Sequence, residues 1–200
     1  MAILEKSTAE ILKILLKDFT KRNTISSISE KIGIGRSGVW KALKRLESKK
    51  LISLDPIGKG KTSTHEITLN WKNPLLEKFM AAILIEDALK QERWRDNFKK
   101  LEKQTLFTIL FGSILHSPKE ANDIDLIIVV KSEEDFKMIE STILEVGQTQ
   151  IKKIHAIDLT KEELKTELTK KNKAYLEALK KGVILFGQEN FIKFVEDILK

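Results

Sequence analysis

The sequence predicts an α+β chain: a small basic head, a helical connector, and a second domain in which strands and helices alternate. Three observations lead there. The 200-residue chain carries a net charge of +7, and the whole excess lies in residues 1–70, with 14 Lys/Arg against 7 Asp/Glu, while residues 71–200 hold 22 of each. Within the head, apolar residues recur at helical spacing and two short β-type runs follow. Beyond residue 104, aliphatic runs of strand length alternate with capped helical segments. The expected boundaries are 1–70 for the head, 71–103 for the connector and 104–200 for the second domain.

Composition narrows the class. Hydrophobic residues make up 42% of the chain, enough for a sizeable core, and there is no cysteine, so disulfides and thiolate metal sites are excluded. The first twenty residues interleave charges with apolar positions and lack a small-residue cleavage site, unlike a secretory signal. No apolar run reaches the length of a membrane span. A cytoplasmic protein without a membrane partner is expected. A neutral body with a basic head also predicts a polyanion ligand for the head.

In order along the chain, Ser7 with Glu10 has capping-box spacing, and Ile11, Leu12, Leu15, Leu16 and Phe19 form one stripe. Ser27 with Glu30 has the same spacing, on a short helix that Gly33 would end. A third helix is expected from Arg36 or Ser37 to about Lys49. Val39, Leu43 and Leu46 form its inner face, with Arg36, Ser37, Trp40, Lys41 and Lys44 opposite. "LISL" and "HEITL" read as strands joined by the Gly-rich loop "DPIGKGKTST", which carries Lys59 and Lys61. In the connector, Asn73 and Pro74 open a helical stretch reaching about Lys103. Its wide apolar faces would either pack the domains together or form a homodimer interface.

The segment "ISSISEKIGIGRSGVWKALKRLESKKLISL" resembles the winged helix-turn-helix family. The resemblance implies double-stranded DNA as partner. The third helix would enter the major groove through Arg36, Ser37, Trp40, Lys41 and Lys44, and the wing would lay Lys59 and Lys61 along phosphates.

The second domain reads as strand 105–111, Gly112-Ser113, a short helix or turn to Pro118, and the strand "DIDLIIVV". A helix capped by Ser132 follows, bearing Phe136, Ile139, Ile143 and Leu144. Then come the strand "IKKIHAIDL", a helix capped by Thr160 with Glu163, a helix closed by Gly182, the strand "VILF" and a last helix. Strand residues two apart share a face, so Asp123 and Asp125 project together. Paired carboxylates repel, and a divalent cation relieves that repulsion. Gly112 allows a phosphate to approach the backbone, and Ser113 adds a hydroxyl. Together these features are apparatus for nucleotidyl transfer.

"LFGSILHSPKEANDIDLIIVV" resembles the Gly-Ser…Asp-x-Asp signature of the DNA polymerase β-like nucleotidyltransferases, most closely the minimal members, over about residues 96–200. The resemblance implies an α/β domain with a mixed sheet and Mg²⁺ on Asp123 and Asp125. It also implies a nucleoside triphosphate on Gly112 and Ser113, and transfer of a nucleoside monophosphate to a hydroxyl. Minimal members often act as antitoxins, which implies a partner protein. The family's third carboxylate comes from the strand at 151–158, where the alignment places His155 and Asp158 is the nearest carboxylate. Asp158 is therefore the third candidate catalytic residue. The alternative is a transcriptional regulator whose transferase domain has lost catalysis and serves nucleotide sensing or assembly.

Overall fold

The computed structural model describes residues 5–20, 22–57 and 64–199. The chain divides into two compact units, residues 1–83 and residues 84–198.

In the first unit, α1 (Lys6–Lys17), α2 (Ile25–Ile32) and α3 (Arg36–Ser48) precede a two-stranded antiparallel sheet of β1 (Ile52–Ile57) and β2 (Thr64–Leu69). Ile11, Leu12, Leu15 and Leu16 of α1 are buried with Ile28 of α2 and Val39, Leu43 and Leu46 of α3. Two expected caps are corrected. The first helix starts one residue before Ser7, and its N-cap is Glu5, whose carbonyl accepts from Thr8 Oγ1 at 2.6 Å. The second box is Thr24 with Ser27, each side chain accepting from the other's backbone N–H. The hydroxyl pair fits because Ser27 sits at the N3 position of a helix that starts at Ile25. Gly33 ends α2 at φ 75°, a left-handed conformation that costs a glycine little. Ser29 Oγ then donates to the Ile34 carbonyl at 2.7 Å and fixes the turn into α3. β1 runs three residues further than "LISL". Pro56 takes part in it opposite His65, at the free edge of the two-stranded sheet. Residues 58–63, with Lys59 and Lys61, lie outside the described residues.

The connector is three helices rather than one run: α4 (Pro74–Leu89), α5 (Glu92–Asn97) and α6 (Leu101–Gln104). Asn73 Oδ1 accepts from the Leu75 N–H at 3.0 Å, as its place before Pro74 predicts. The division between the two units falls inside α4, after Ile83.

The second unit holds a four-stranded mixed sheet in the order β5-β4-β3-β6. Its strands are β3 (Phe107–Phe111), β4 (Asp123–Val130), β5 (Lys153–Thr160) and β6 (Val183–Phe186). β4 runs antiparallel to β3 and parallel to β5, and β6 is antiparallel to β3. Its helices are α7 (Phe136–Gly147), α8 (Lys161–Thr169), α9 (Lys173–Lys181) and α10 (Gln188–Leu199). From Leu126 onward every residue of β4 is buried, so both faces of this central strand are covered. Phe107 packs edge-on to Phe191 of α10, with centroids 5.4 Å apart. Thr160 and Glu163 form the expected box on α8. Ser132 caps a three-residue 3-10 turn that leads into α7. Of the apolar residues read on α7, Leu144 is 64% exposed, and Ile139, Thr142 and Val146 supply the buried stripe.

Candidate functional site

The first candidate surface is the outer face of α3. Packing Val39, Ala42, Leu43 and Leu46 inward leaves Arg36, Ser37, Lys41 and Lys44 exposed and Trp40 half-buried. Trp40 is not core. Its ring lies 5.8 Å from that of His65 on β2, and Lys44 Nζ stands 4.7 Å over it. Lys44 also pairs with Glu47 at 2.8 Å, so part of its charge is already committed. Among the described residues, Arg36 and Lys41 have no carboxylate partner. They are the more available cations at the N-terminal half of α3. Behind this surface Lys31 bridges Asp18 at 2.7 Å and the Asn23 amide oxygen at 3.0 Å. Asp18 is only 6% exposed, so this pair ties α2 to the end of α1 in a partly dry setting.

The second candidate site lies at one end of the four-stranded sheet, where three adjacent strands bring their ends together. The ladder sets Phe111 opposite Asp125 on one side and Asp125 opposite His155 on the other. His155 Nδ1 lies 3.3 Å from Asp123 Oδ2 and 3.7 Å from Asp125 Oδ1. One donor atom from each residue falls within 4.8 Å of the others, and among the described residues this is the one His/Asp/Glu group so arranged. Gly112 follows β3 at φ 83°. A Cβ there would collide with Asp125 Oδ2 and stand 3.1 Å from its Cγ. The missing side chain is thus the space the Asp125 carboxylate occupies.

Burial raises the pKa of Asp125 above 3.8, and the neighbouring charge of Asp123 adds to that rise, while His155 opposes it through its charge and its polar contact. The part of that rise that comes from the charge of Asp123 is repulsion that a cation would relieve.

Ser113 is exposed beside Gly112 and opens a 3-10 turn, Ser113–Leu115, anchored by buried Ile114. Of the short helix or turn expected after Ser113, the structure has the turn. Asp158 is not in the cluster. β5 is paired regularly from Lys153 to Thr160, with Asp158 opposite Ile128, so an odd step along the strand turns it to the other face from His155. Asp158, expected as the third carboxylate, thus lies outside the cluster, and the third member of the cluster is His155. Lys152, which no motif in the sequence singles out, donates through Nζ to the Ala121 carbonyl and holds the chain entering β4. Only its position beside the strand points to such a role.

Residues 4–53 match the family described as winged helix-turn-helix DNA-binding. With the three helices and the β1–β2 hairpin, this makes the N-terminal part of the chain a winged helix-turn-helix domain. A comparison with curated proteins gives no match. Among solved structures, the chain is similar to the heme sensor protein PefR from Streptococcus agalactiae in complex with heme. The two share 13% identity at a TM-score of 0.36, over 74% of this chain and 76% of that one. It is also similar to a zinc-responsive MarR family member, ZitR of Lactococcus lactis. Here the identity is 18% and the TM-score 0.34, over 74% of this chain and 77% of that one. Scores this low do not define the fold of the whole chain.

Proposed function

We propose that the protein is a DNA-binding transcriptional regulator whose second unit has a nucleotidyltransferase-like fold and serves as a ligand-responsive or assembly module. The observation that supports this reading is the face of α3, where Arg36 and Lys41 are exposed and, among the described residues, have no carboxylate partner; in a winged helix this end would face the groove. His155 in place of a third carboxylate supports the non-catalytic role of the second unit. In this reading Arg36, Ser37 and Trp40 meet base edges, and Lys41 and Lys44 meet phosphates together with Lys59 and Lys61 of the wing. A homodimer on a two-fold operator and a cytoplasmic location belong to the same proposal. Selection of bound duplexes from a random pool by the full chain tests it. Enrichment of a defined motif is expected, and a pool recovered without sequence preference would refute it.

One observation favours a second reading, nucleotidyl transfer from a nucleoside triphosphate to a hydroxyl of RNA, a small molecule or a partner protein. Asp123 and Asp125 stand side by side next to Gly112, with Ser113 exposed beside them. In that reading the triphosphate would lie on Gly112 and Ser113. Two carboxylates suit Mg²⁺, which commonly binds through one or two carboxylates and substrate phosphates. The imidazole does not, so the full donor set does not fit an all-oxygen Mg²⁺ site. Transfer of labelled nucleotide that is lost in Asp123→Asn would favour this reading. Absence of transfer to any acceptor favours the regulator.

A further inference from the structure

We propose that Asp123, Asp125 and His155 bind a zinc-class transition-metal dication, held tetrahedrally with the fourth position open to solvent. The inference rests on reading these residues as a functional site and departs from the Mg²⁺ that the carboxylates alone would imply.

The chemistry of the donors comes first. Imidazole nitrogen is a ligand for borderline metals such as zinc, whereas Mg²⁺ takes oxygen ligands. Two carboxylates and one imidazole give three protein ligands, the number that leaves a zinc ion one open position. Geometry agrees. The separations of 3.3 and 3.7 Å from His155 Nδ1 to the two carboxylates exceed the roughly 2.7–3.2 Å of a made N–H···O bond. They lie close to the edge of about 3.3–3.6 Å that metal–ligand bonds of about 2.0–2.2 Å span in a tetrahedron. The two edges that meet at His155 therefore suit a shared ion, and the donor atoms of all three residues lie within 4.8 Å of one another.

The support behind the ligands is built in. Asp125 Oδ2 fills the space left by the absent Gly112 Cβ, which turns Oδ1 toward His155. The parallel ladder of β4 and β5 locks Asp125 opposite His155. The cluster is also accessible, with side chains of His155, Asp123 and Asp125 at 45%, 33% and 23% exposure. A metal with an open position there could carry an exchangeable ligand.

Titration of the full-length chain with zinc chloride, followed by calorimetry, tests the proposal. The wild type should bind one zinc per chain. His155→Ala should lose affinity about tenfold or more, while His65→Ala and His116→Ala retain it. His155→Asp, which restores three oxygen donors, should lower the ratio of zinc to magnesium affinity by about tenfold or more. Unchanged circular dichroism of each variant excludes misfolding as the cause. Wild-type zinc affinity in His155→Ala, or loss of zinc in His65→Ala or His116→Ala instead, would overturn the proposal. Magnesium-dependent nucleotide binding that fails in Asp123→Asn but survives in His155→Ala, with zinc affinity also unchanged in the latter, would overturn it while leaving the site itself standing.

Discussion

Gly112 and Asp125 determine each other. The glycine has a left-handed φ, and its missing side chain is the room in which the carboxylate sits. Gly112→Ala therefore meets two penalties at once, backbone strain and displacement of Asp125. A loss of about 1–3 kcal/mol is expected in urea unfolding, with metal affinity falling in parallel. Asp125 itself gives a signed prediction for pH. Its folded pKa is raised above 3.8 by burial and by Asp123. Such a group contributes stability that is present below the unfolded pKa and is lost as pH rises through the folded value. In the presence of chelator, Asp125→Asn should melt higher than the wild type at pH 7, and the advantage should shrink as pH falls toward 3.8 and below. A lower melting temperature for the variant at pH 7 would contradict this account of the pair.

At the scale of elements, the helix-turn-helix depends on short-range devices that can be removed singly. Thr24→Ala removes one half of the box that opens α2 and should cost about 1 kcal/mol. Lys31→Met breaks the partly buried pair with Asp18 and the contact with Asn23. It should cost about 1–3 kcal/mol, measured by thermal or urea unfolding of the full chain. Elements also differ in how plainly their residues declare them. The stripes of α1 and α3, the strands "TLFTILF" and "DIDLIIVV", and the Thr160–Glu163 box are legible in the sequence because each is a local pattern of spacing and capping. The caps of α1 and α2 are not, because several Ser, Thr and Glu residues share the right spacing and tertiary packing chooses among them. The breaks between α4, α5 and α6 contain no proline or glycine to betray them. In the site, the shared face of Asp123 and Asp125 follows from strand period alone. The turn of Asp158 away from His155 depends on whether β5 bulges, which no local pattern states. The contact of Gly112 with Asp125 belongs to the register between β3 and β4, and only the folded sheet reveals it.

For the whole molecule, the confinement of the net +7 charge to the first 70 residues matches the position of the winged helix-turn-helix domain. Among the described residues, no helix is long and apolar enough to cross a membrane. DNA binding is the central claim. It predicts that removing a base-reading side chain and removing a phosphate contact have different signatures. Arg36→Ala should relax preference at particular base pairs by about 1–3 kcal/mol. Lys41→Ala, and Lys59→Ala with Lys61→Ala in the wing, should weaken binding nearly equally on all sequences. The most direct test is the affinity of the full-length chain for duplex DNA measured across a series of salt concentrations. The account predicts a steep linear fall of log affinity with log salt, flattened by about one unit for each phosphate contact removed. Binding that is absent at moderate ionic strength, or indifferent to salt, would contradict it.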